Sequence, residues 1–419
     1  MTATWTPEER RMLFRFSLYG FLKNQRYFET FLILAFLDKG LSFFQIGLLV
    51  GFGSFCTNLL EIPSGAVADL HGRRKSMIFS FFAYAVAFIV FALARSIAPL
   101  FLAMFFYSVG EAFRTGTHKS MIFNWLAAIG KEEERVRVYG FTRSWSKKGS
   151  ALSALVAAVL VFLVRDFDIV FWLSVPPCLL NTINFLGYPD VVEGEPPEPE
   201  NRRGVFRHVI AVTREAWRHR TQRRLLAEST GFEGVFEVCK DYLQPILKHA
   251  ALGLPVMLAL DDTQRTAAVV GAVYVVLFLL SSTASRNAHA LVMHMDNDEE
   301  RASRLLWRIA LSAYGCILAG VLLDWQTMVI PAFVAVYLVQ NLWRPALVSR
   351  LDACSDSRSA ATLLSIESQA RSVFAMLAAP LLGLAVDHEG LWPVGLLGAG
   401  VSLAALVIRA PGVAGRGNP

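Results

Sequence analysis

The sequence predicts an all-α membrane protein with twelve transmembrane helices in two six-helix bundles, and three observations predict it. Of the 419 residues, 54% are hydrophobic and only 18% charged, against roughly 25% charged in a soluble domain. Apolar runs close to the roughly 20 residues that a bilayer core demands recur along the chain. The polar stretches between them are short apart from one near the middle, so no separate water-soluble domain is encoded.

A backbone in hydrocarbon must satisfy its own hydrogen bonds, so each run is read as helix. The first six spans are Phe14 to Leu37, Phe43 to Ala66, Met77 to Ala94, Leu100 to Thr117, Tyr139 to Val164 and Ile169 to Gly187. The other six are Leu225 to Leu247, Ala267 to Ser285, Leu305 to Leu323, Met328 to Val348, Ala361 to Leu384 and Leu391 to Ile408. The polar stretch Met1 to Arg11 lacks the pattern of a cleaved signal peptide, so the first span is expected to be retained.

The segment between the sixth and seventh spans divides the chain into an N-terminal bundle (1–188), a linker (189–224) and a C-terminal bundle (225–419). The linker opens with Glu193-Gly194-Glu195-Pro196-Pro197-Glu198-Pro199-Glu200, read as a stiff, extended acidic stretch because proline excludes helix. An amphipathic pattern follows, with Val205, Phe206, Val209, Ile210, Val212, Ala216 and Trp217 on one side and Arg207, Arg214 and Arg218 on the other. Such a helix suits the surface of the cytoplasmic leaflet. Two halves of similar length suggest two structural repeats, an inference from hydropathy alone.

The net charge of +6 comes from basic residues recurring between spans, not from one face of a folded domain, so a nucleic-acid partner is not expected. One set of loops holds Arg73, Arg74 and Lys75, then Lys119, Lys131, Arg135 and Arg137, then the Arg-rich linker, Arg301, Arg304, Arg350 and Arg358. The opposite set holds little beyond Lys39, Arg95, Arg165, Lys248 and Arg265. The positive-inside rule then places both termini in the cytoplasm, with the chain in the plasma (inner) membrane. The five cysteines are scattered without metal-ligand spacing, so neither a disulfide framework nor a metal is expected, and no cofactor either.

The loop after the second span reads Gly65-Ala66-Val67-Ala68-Asp69-Leu70-His71-Gly72-Arg73-Arg74-Lys75. Gly72 permits a tight turn, the three cations suit headgroups, and Asp69 is placed to cap a helix or meet an Arg. The loop resembles the G-x-x-x-D-x-x-G-R-R/K-R/K signature of the major facilitator superfamily and lies where that family carries it. The stretches Lys39 to Gly47 and Glu61 to Gly65 also resemble bacterial members of unassigned substrate. The resemblance implies that family's fold, with Gly65, Asp69, Gly72, Arg73 and Arg74 as a gating motif latched against the other half. The plain alternative is a membrane anchor plus turn. Two family patterns are missing. Phe106 stands where R-x-x-x-G would place Arg ahead of Gly110, and the fifth span has no G-P-x-x-G-G, so export by antiport gains no support.

Ionisable residues inside a bilayer are costly and tend to face a cavity or pair with one another. The first span carries Lys23, Arg26 and Glu29 at steps of three, near one helical face. The seventh carries Glu233, Glu237 and Asp241 at steps of four, with Lys240 beside them. The fourth holds Glu111 and Arg114, the tenth Gln340, Asn341 and Arg344, the fifth Arg143 and Lys147, and the eleventh Glu367 and Arg371. The family resemblance implies that the first, fourth, seventh and tenth helices line the cavity, where these charges concentrate. The three seventh-span acids are read either as proton carriers, since like charges in low dielectric hold a proton readily, or as ion-pair partners of Arg344, Arg26 or Lys240. Lys23, Arg26 and Arg143 are read either as a site for an anionic substrate group or as partners of Glu29, Glu111 and water.

The expected function is secondary transport of a small charged or amphipathic solute by alternating access, by a monomer, with protons as a candidate coupling ion. The alternative is a non-transporting membrane receptor or scaffold that keeps the fold. An enzyme is not expected, because the sequence offers no nucleophile-base constellation, no H-E-x-x-H and no phosphate-binding Gly-rich loop.

Overall fold

The computed structural model describes residues 5–193, 218–255, 257–296, 298–353 and 360–407. Within these, the side chains of Ile62, Ala66, Asp69, Leu70, Val136, Lys147, Asp352, Ala353 and 360–362 lie outside the description. The proposed amphipathic helix up to Trp217 and the acidic stretch after Glu193 also lie outside the described residues. Every regular element among the described residues is helical, as an all-α membrane protein requires.

Nine helical segments among the described residues are long and apolar enough to cross a bilayer. These are α3 (Phe43–His71), α4 (Arg73–Leu93), α5 with α6 (Ile97–Arg114 and Thr117–Ala128), α7 (Arg135–Val164), α8 (Ile169–Leu186), α11 (Asp262–His294), α12 (Glu299–Leu322), α13 (Gln326–Ala353) and α14 (Ala360–Glu389). The twelfth span is the shorter apolar helix α15 (Trp392–Val407).

The first and seventh spans depart from the expected continuous rods. The first is α1 (Pro7–Lys23), a 3-10 turn at Tyr27–Thr30 and α2 (Leu32–Asp38). The seventh is α9 (Arg220–Cys239), a 3-10 turn at Lys240–Tyr242 and α10 (Leu243–Gly253). Lys23, Arg26 and Glu29 therefore do not share the face of one continuous α-helix, and Asp241 lies in a turn beyond the helix that carries Glu233 and Glu237. Neither glycine nor proline occupies 24–31, so the first break has no local cause. A buried amide holds it open. Ile33 donates its N–H to Gln244 Oε1 at 2.8 Å, and Gln244 Nε2 donates to the Glu29 carbonyl at 2.9 Å. In the seventh span the Tyr337 hydroxyl donates to the Lys240 carbonyl at 3.2 Å. Each bond gives a partner to a backbone group at a break, as broken helices at membrane depth require.

Contacts divide the chain into two compact units, Met1–His208 with Asp241–Ser282 and Ala375–Asp387, and Val209–Lys240 with Thr283–Phe374 and His388–Pro419. In the first, α4 packs on α5 and α8, α3 on α5, and α1 on α7 and α8, while α10 touches α2. The start of α3 and the end of α14 meet backbone to backbone. A side chain at Gly47 would strike the Ala379 carbonyl, and one at Gly383 the Phe43 carbonyl, so small residues are what permit the approach. The same junction closes the helix end. Phe43 and Phe44 donate their N–H groups to the Asp387 carboxylate at 2.9 and 2.8 Å, and Gln45 donates to Ser42 Oγ at 3.3 Å, so three first-turn donors are satisfied. Asp168 takes both Lys39 and Arg95 at 2.7 Å, and Arg165 meets Asp261 at 3.1 Å, which pairs three of the few cations in the sparsely charged loops.

In the second unit α12 packs on α13 and α15, and α9 on α13 and α15. Its core centres on Trp343, fully buried and stacked on Phe232 at 4.3 Å, with Trp307 edge-on to the same ring at 4.8 Å. Leu163, Ile183, Leu186 and Leu381 are nearly two-thirds exposed, which suits a surface solvated by acyl chains.

Candidate functional site

In the first unit the α-helical spacing of α5 sets Tyr107, Glu111 and Arg114 on one face. The Glu111 carboxylate accepts from Arg26 at 3.2 Å, from Arg114, and from the Tyr107 hydroxyl at 3.4 Å. Arg114 also donates through Nε to the Tyr84 hydroxyl at 3.0 Å. One carboxylate thus answers two guanidiniums. A cavity of about 30 Å³ opens among Lys23, Gln25, Arg26, Tyr107, Glu111 and Arg114, with room for about one water. Gln25 Oε1 is buried there without a partner among the described residues. Arg143 lies apart from this pair, on the wall of a larger neighbouring cleft. Glu29 contributes its carbonyl to Gln244, and the ion-pair partner of Arg26 is Glu111.

In the second unit Glu367 is completely buried and accepts both arms of Arg344, at 2.8 and 3.1 Å, and the Ser229 hydroxyl. This is the bidentate fork that gives an Arg-carboxylate pair its strength. Glu233, also buried, accepts from Gln340 at 3.3 Å and meets Arg371 at 3.5 Å. Glu237 is more open and pairs with Lys240 at 2.9 Å. Asn341 turns its amide back to the Tyr337 carbonyl at 2.9 Å. The partner of Glu233 is thus Arg371, whereas Arg344 is taken by Glu367.

The signature loop is built around Gly72, whose φ of 98° and ψ of 139° belong to backbone space nearly reserved for glycine. The turn lets α4 start at once, and its first N–H groups point at Glu193. Arg73 N–H and Arg74 N–H both donate to that carboxylate, the latter at 3.1 Å. Arg74 further donates to the Tyr188 carbonyl at 2.6 Å and pairs with Asp190 at 2.9 Å. Glu193 is therefore a helix cap in the 3-10 turn Asp190–Glu193, a correction to its reading as the start of an extended linker. Gly65 sits exposed on α3, and the side chain of Asp69 lies outside the described residues. Gly72→Ala is expected to cost about 1–3 kcal/mol from the backbone conformation alone, and a side chain there would also crowd Glu193. A thermal unfolding midpoint equal to that of the parent protein would refute this.

One cluster is not visible in the sequence pattern. Glu228 accepts both arms of Arg350 at 2.9 and 3.1 Å, the Ser303 hydroxyl at 2.5 Å and the Trp307 indole N–H at 3.2 Å. Arg350 extends to Glu300 at 2.9 Å, and Glu300 to Arg224 at 2.5 Å. Arg350 is thus a buried ion-pair partner and not a plain loop cation. The signal that could have found the cluster is Glu228, an acid with a Ser, Thr and Gly run beside it that leaves room for a close partner. Tyr84 is hidden for a similar reason, since nothing in sequence sets it beside Arg114.

The family model described as Major Facilitator Superfamily matches residues 25–415. Among curated proteins, an uncharacterized MFS-type transporter, YxaM of Bacillus subtilis (strain 168), is 27% identical over 106 residues. The match spans only about a quarter of either chain, 25% of this one and 26% of the relative. Among solved structures, a point mutant of the nucleoside transporter NupG superposes with a TM-score of 0.75 at 12% identity, covering 94% of this chain and 98% of that one. A peptide transporter, POT, in complex with sulfate gives 0.69 at 14% identity, covering 94% of each chain. At such identities the likeness speaks to the fold.

Proposed function

The chain belongs to the major facilitator superfamily, and from that premise we propose that this membrane transporter is a secondary carrier of a small charged or amphipathic solute. It works by alternating access between the halves 1–188 and 225–419, as a monomer in the plasma membrane with both termini cytoplasmic. The observation that carries this reading is the distribution of buried charge. The ionised groups gather on the first, fourth, seventh, tenth and eleventh spans, as the Arg26–Glu111–Arg114 and Arg344–Glu367, Glu233–Arg371 sets. Two of those spans are broken, and irregular backbone at membrane depth is tolerated where it lines a cavity. An untargeted comparison of metabolite uptake and release in cells with and without the protein should reveal at least one solute whose flux depends on it. If the difference persists after Glu111 and Glu367 are both neutralised in protein at normal surface level, the reading is wrong.

Proton coupling through Glu233, Glu237 and Asp241 is the narrower part of the proposal. Glu237 is the most exposed of the three acids that recur on the seventh span, so it is the one best able to exchange a proton with water. In proteoliposomes the E233Q/E237Q/D241N variant is expected to lose the pH dependence of transport. An unchanged pH profile would remove protons from the mechanism while leaving transport itself standing.

A further inference from the structure

A cleft of the first unit has only basic ionisable groups and tyrosine in its wall. Its volume is about 450 Å³, and Lys23, Arg114, Lys119 and Arg143 line it together with Asn24 and Ser146. Among the described residues no carboxylate belongs to that lining. Arg114 is answered by Glu111 on its far side. Lys119 lies over the Phe123 and Tyr139 rings at 5.5 and 5.8 Å. Lys23 and Arg143 have neither an ion pair nor a hydrogen bond among the described residues, although the other cavity arginines Arg26, Arg114, Arg344 and Arg371 are all matched to carboxylates.

Lys23 shares the small cavity with Glu111 but is bonded to no acid, and Arg143 is an exposed side chain with no carboxylate paired to it among the described residues, so both cations keep their donors for a ligand in the cleft. The result is a concave site with a positive field and low-dielectric walls, which concentrates anions. Arg143 offers a planar fork that matches two oxygens at once, and Lys23 a compact charge that suits a third. The rings of Phe16, Tyr19 and Tyr139 complete an apolar wall, and the volume suits a small organic molecule.

We infer that this cleft is a binding site for a multivalent oxyanion carried on a small organic solute, a phosphate monoester or a polycarboxylate, with Lys23 and Arg143 holding the charged group. The inference rests on the transport reading for its purpose, since it names the substrate class, but the site stands on its own geometry. The phosphate of an anionic lipid headgroup has the same chemistry and is the second source of such a ligand.

The test uses the full chain in nanodiscs of phosphatidylcholine, with inorganic phosphate and citrate as probes and chloride at equal ionic strength as the blank. Both probes should raise the unfolding midpoint saturably, as ligands of the folded state do. Lys23→Gln and Arg143→Gln should each weaken the apparent affinity at least tenfold. Neither should lower the midpoint in the absence of probe, whereas loss of a structural cation would. Adding phosphatidylglycerol to the nanodisc separates the sources. If the free probe is the ligand, its titration is unchanged. If the headgroup is the ligand, the midpoint is already raised and the probe adds nothing, and the site then stands as a lipid site. A probe effect that survives in the Lys23→Gln/Arg143→Gln double variant is a general salt effect and overturns the inference. So does a protein that responds to neither probe nor lipid. Transport of a neutral or cationic solute with no anion binding would sink the inference while sparing the transporter.

Discussion

Glu111→Gln is expected to lower the stability of the protein by about 3 kcal/mol and, in the same molecule, to tighten its hold on an oxyanion. The first effect follows from what the carboxylate answers. Arg26 and Arg114 both point at it, and removing one partner of a buried ion pair costs about 3–5 kcal/mol because the surviving charge is left uncompensated. The lower end applies because Arg26 remains one-third exposed, so water screens part of the loss. The second effect follows from Arg114, which lines both the small cavity and the basic cleft. With Glu111 neutral, its charge is free to act on the cleft, and the deficit in stability should shrink as phosphate or citrate is added. Unfolding midpoints of parent and variant, titrated with either probe, check both halves at once. A variant as stable as the parent would deny the ion pair its role, and a deficit indifferent to the probe would separate Arg114 from the cleft.

How far such a site can be read from sequence depends on how far apart its parts lie along the chain. Hydropathy alone is enough for the long apolar spans, because about twenty apolar residues in lipid have few alternatives to helix, but it does not show the breaks in the first and seventh. The pair Glu111 and Arg114 is legible as neighbours three apart on one helix, and Glu237 and Lys240 as neighbours three apart across the end of α9. Arg344 and Glu367 are each recognisable as intramembrane charges, but their match depends on how α13 packs against α14, which sequence periodicity does not encode. Glu193 misleads because the prolines that follow it speak for an extended linker, whereas its role is set by the Gly72 turn 121 residues earlier and by the N–H groups that turn exposes. The partners of Asp387 and Glu228 are hidden for the same reason. A lone acid near the end of an apolar run looks like a surface residue until the helix end or the guanidinium it serves is placed against it.

Gln244→Leu should be as damaging as any loss of charge, although the residue is neutral and carries no motif. Its side chain is fully buried and spans the break in the first span, accepting from the Ile33 N–H and donating to the Glu29 carbonyl. Leucine has nearly the same volume and fits the apolar surroundings, so the substitution isolates the two hydrogen bonds from packing. Each backbone group left without a partner costs about 1–3 kcal/mol, giving about 2–6 kcal/mol in all, and hydrocarbon offers no water to repair the loss. Gln244→Glu separates the two roles. A carboxylate can still accept from Ile33, but it meets the Glu29 carbonyl as a second acceptor, so this variant should recover part of the stability at most. The consequence reaches function because the same amide ties α10 of the seventh span to the first. Loosening that tie should make a cysteine placed at Ile33, buried in the parent, open to a water-soluble thiol reagent. If the Gln244→Leu protein unfolds at the parent's midpoint and the thiol stays protected, the break in the first span is held by something other than this amide.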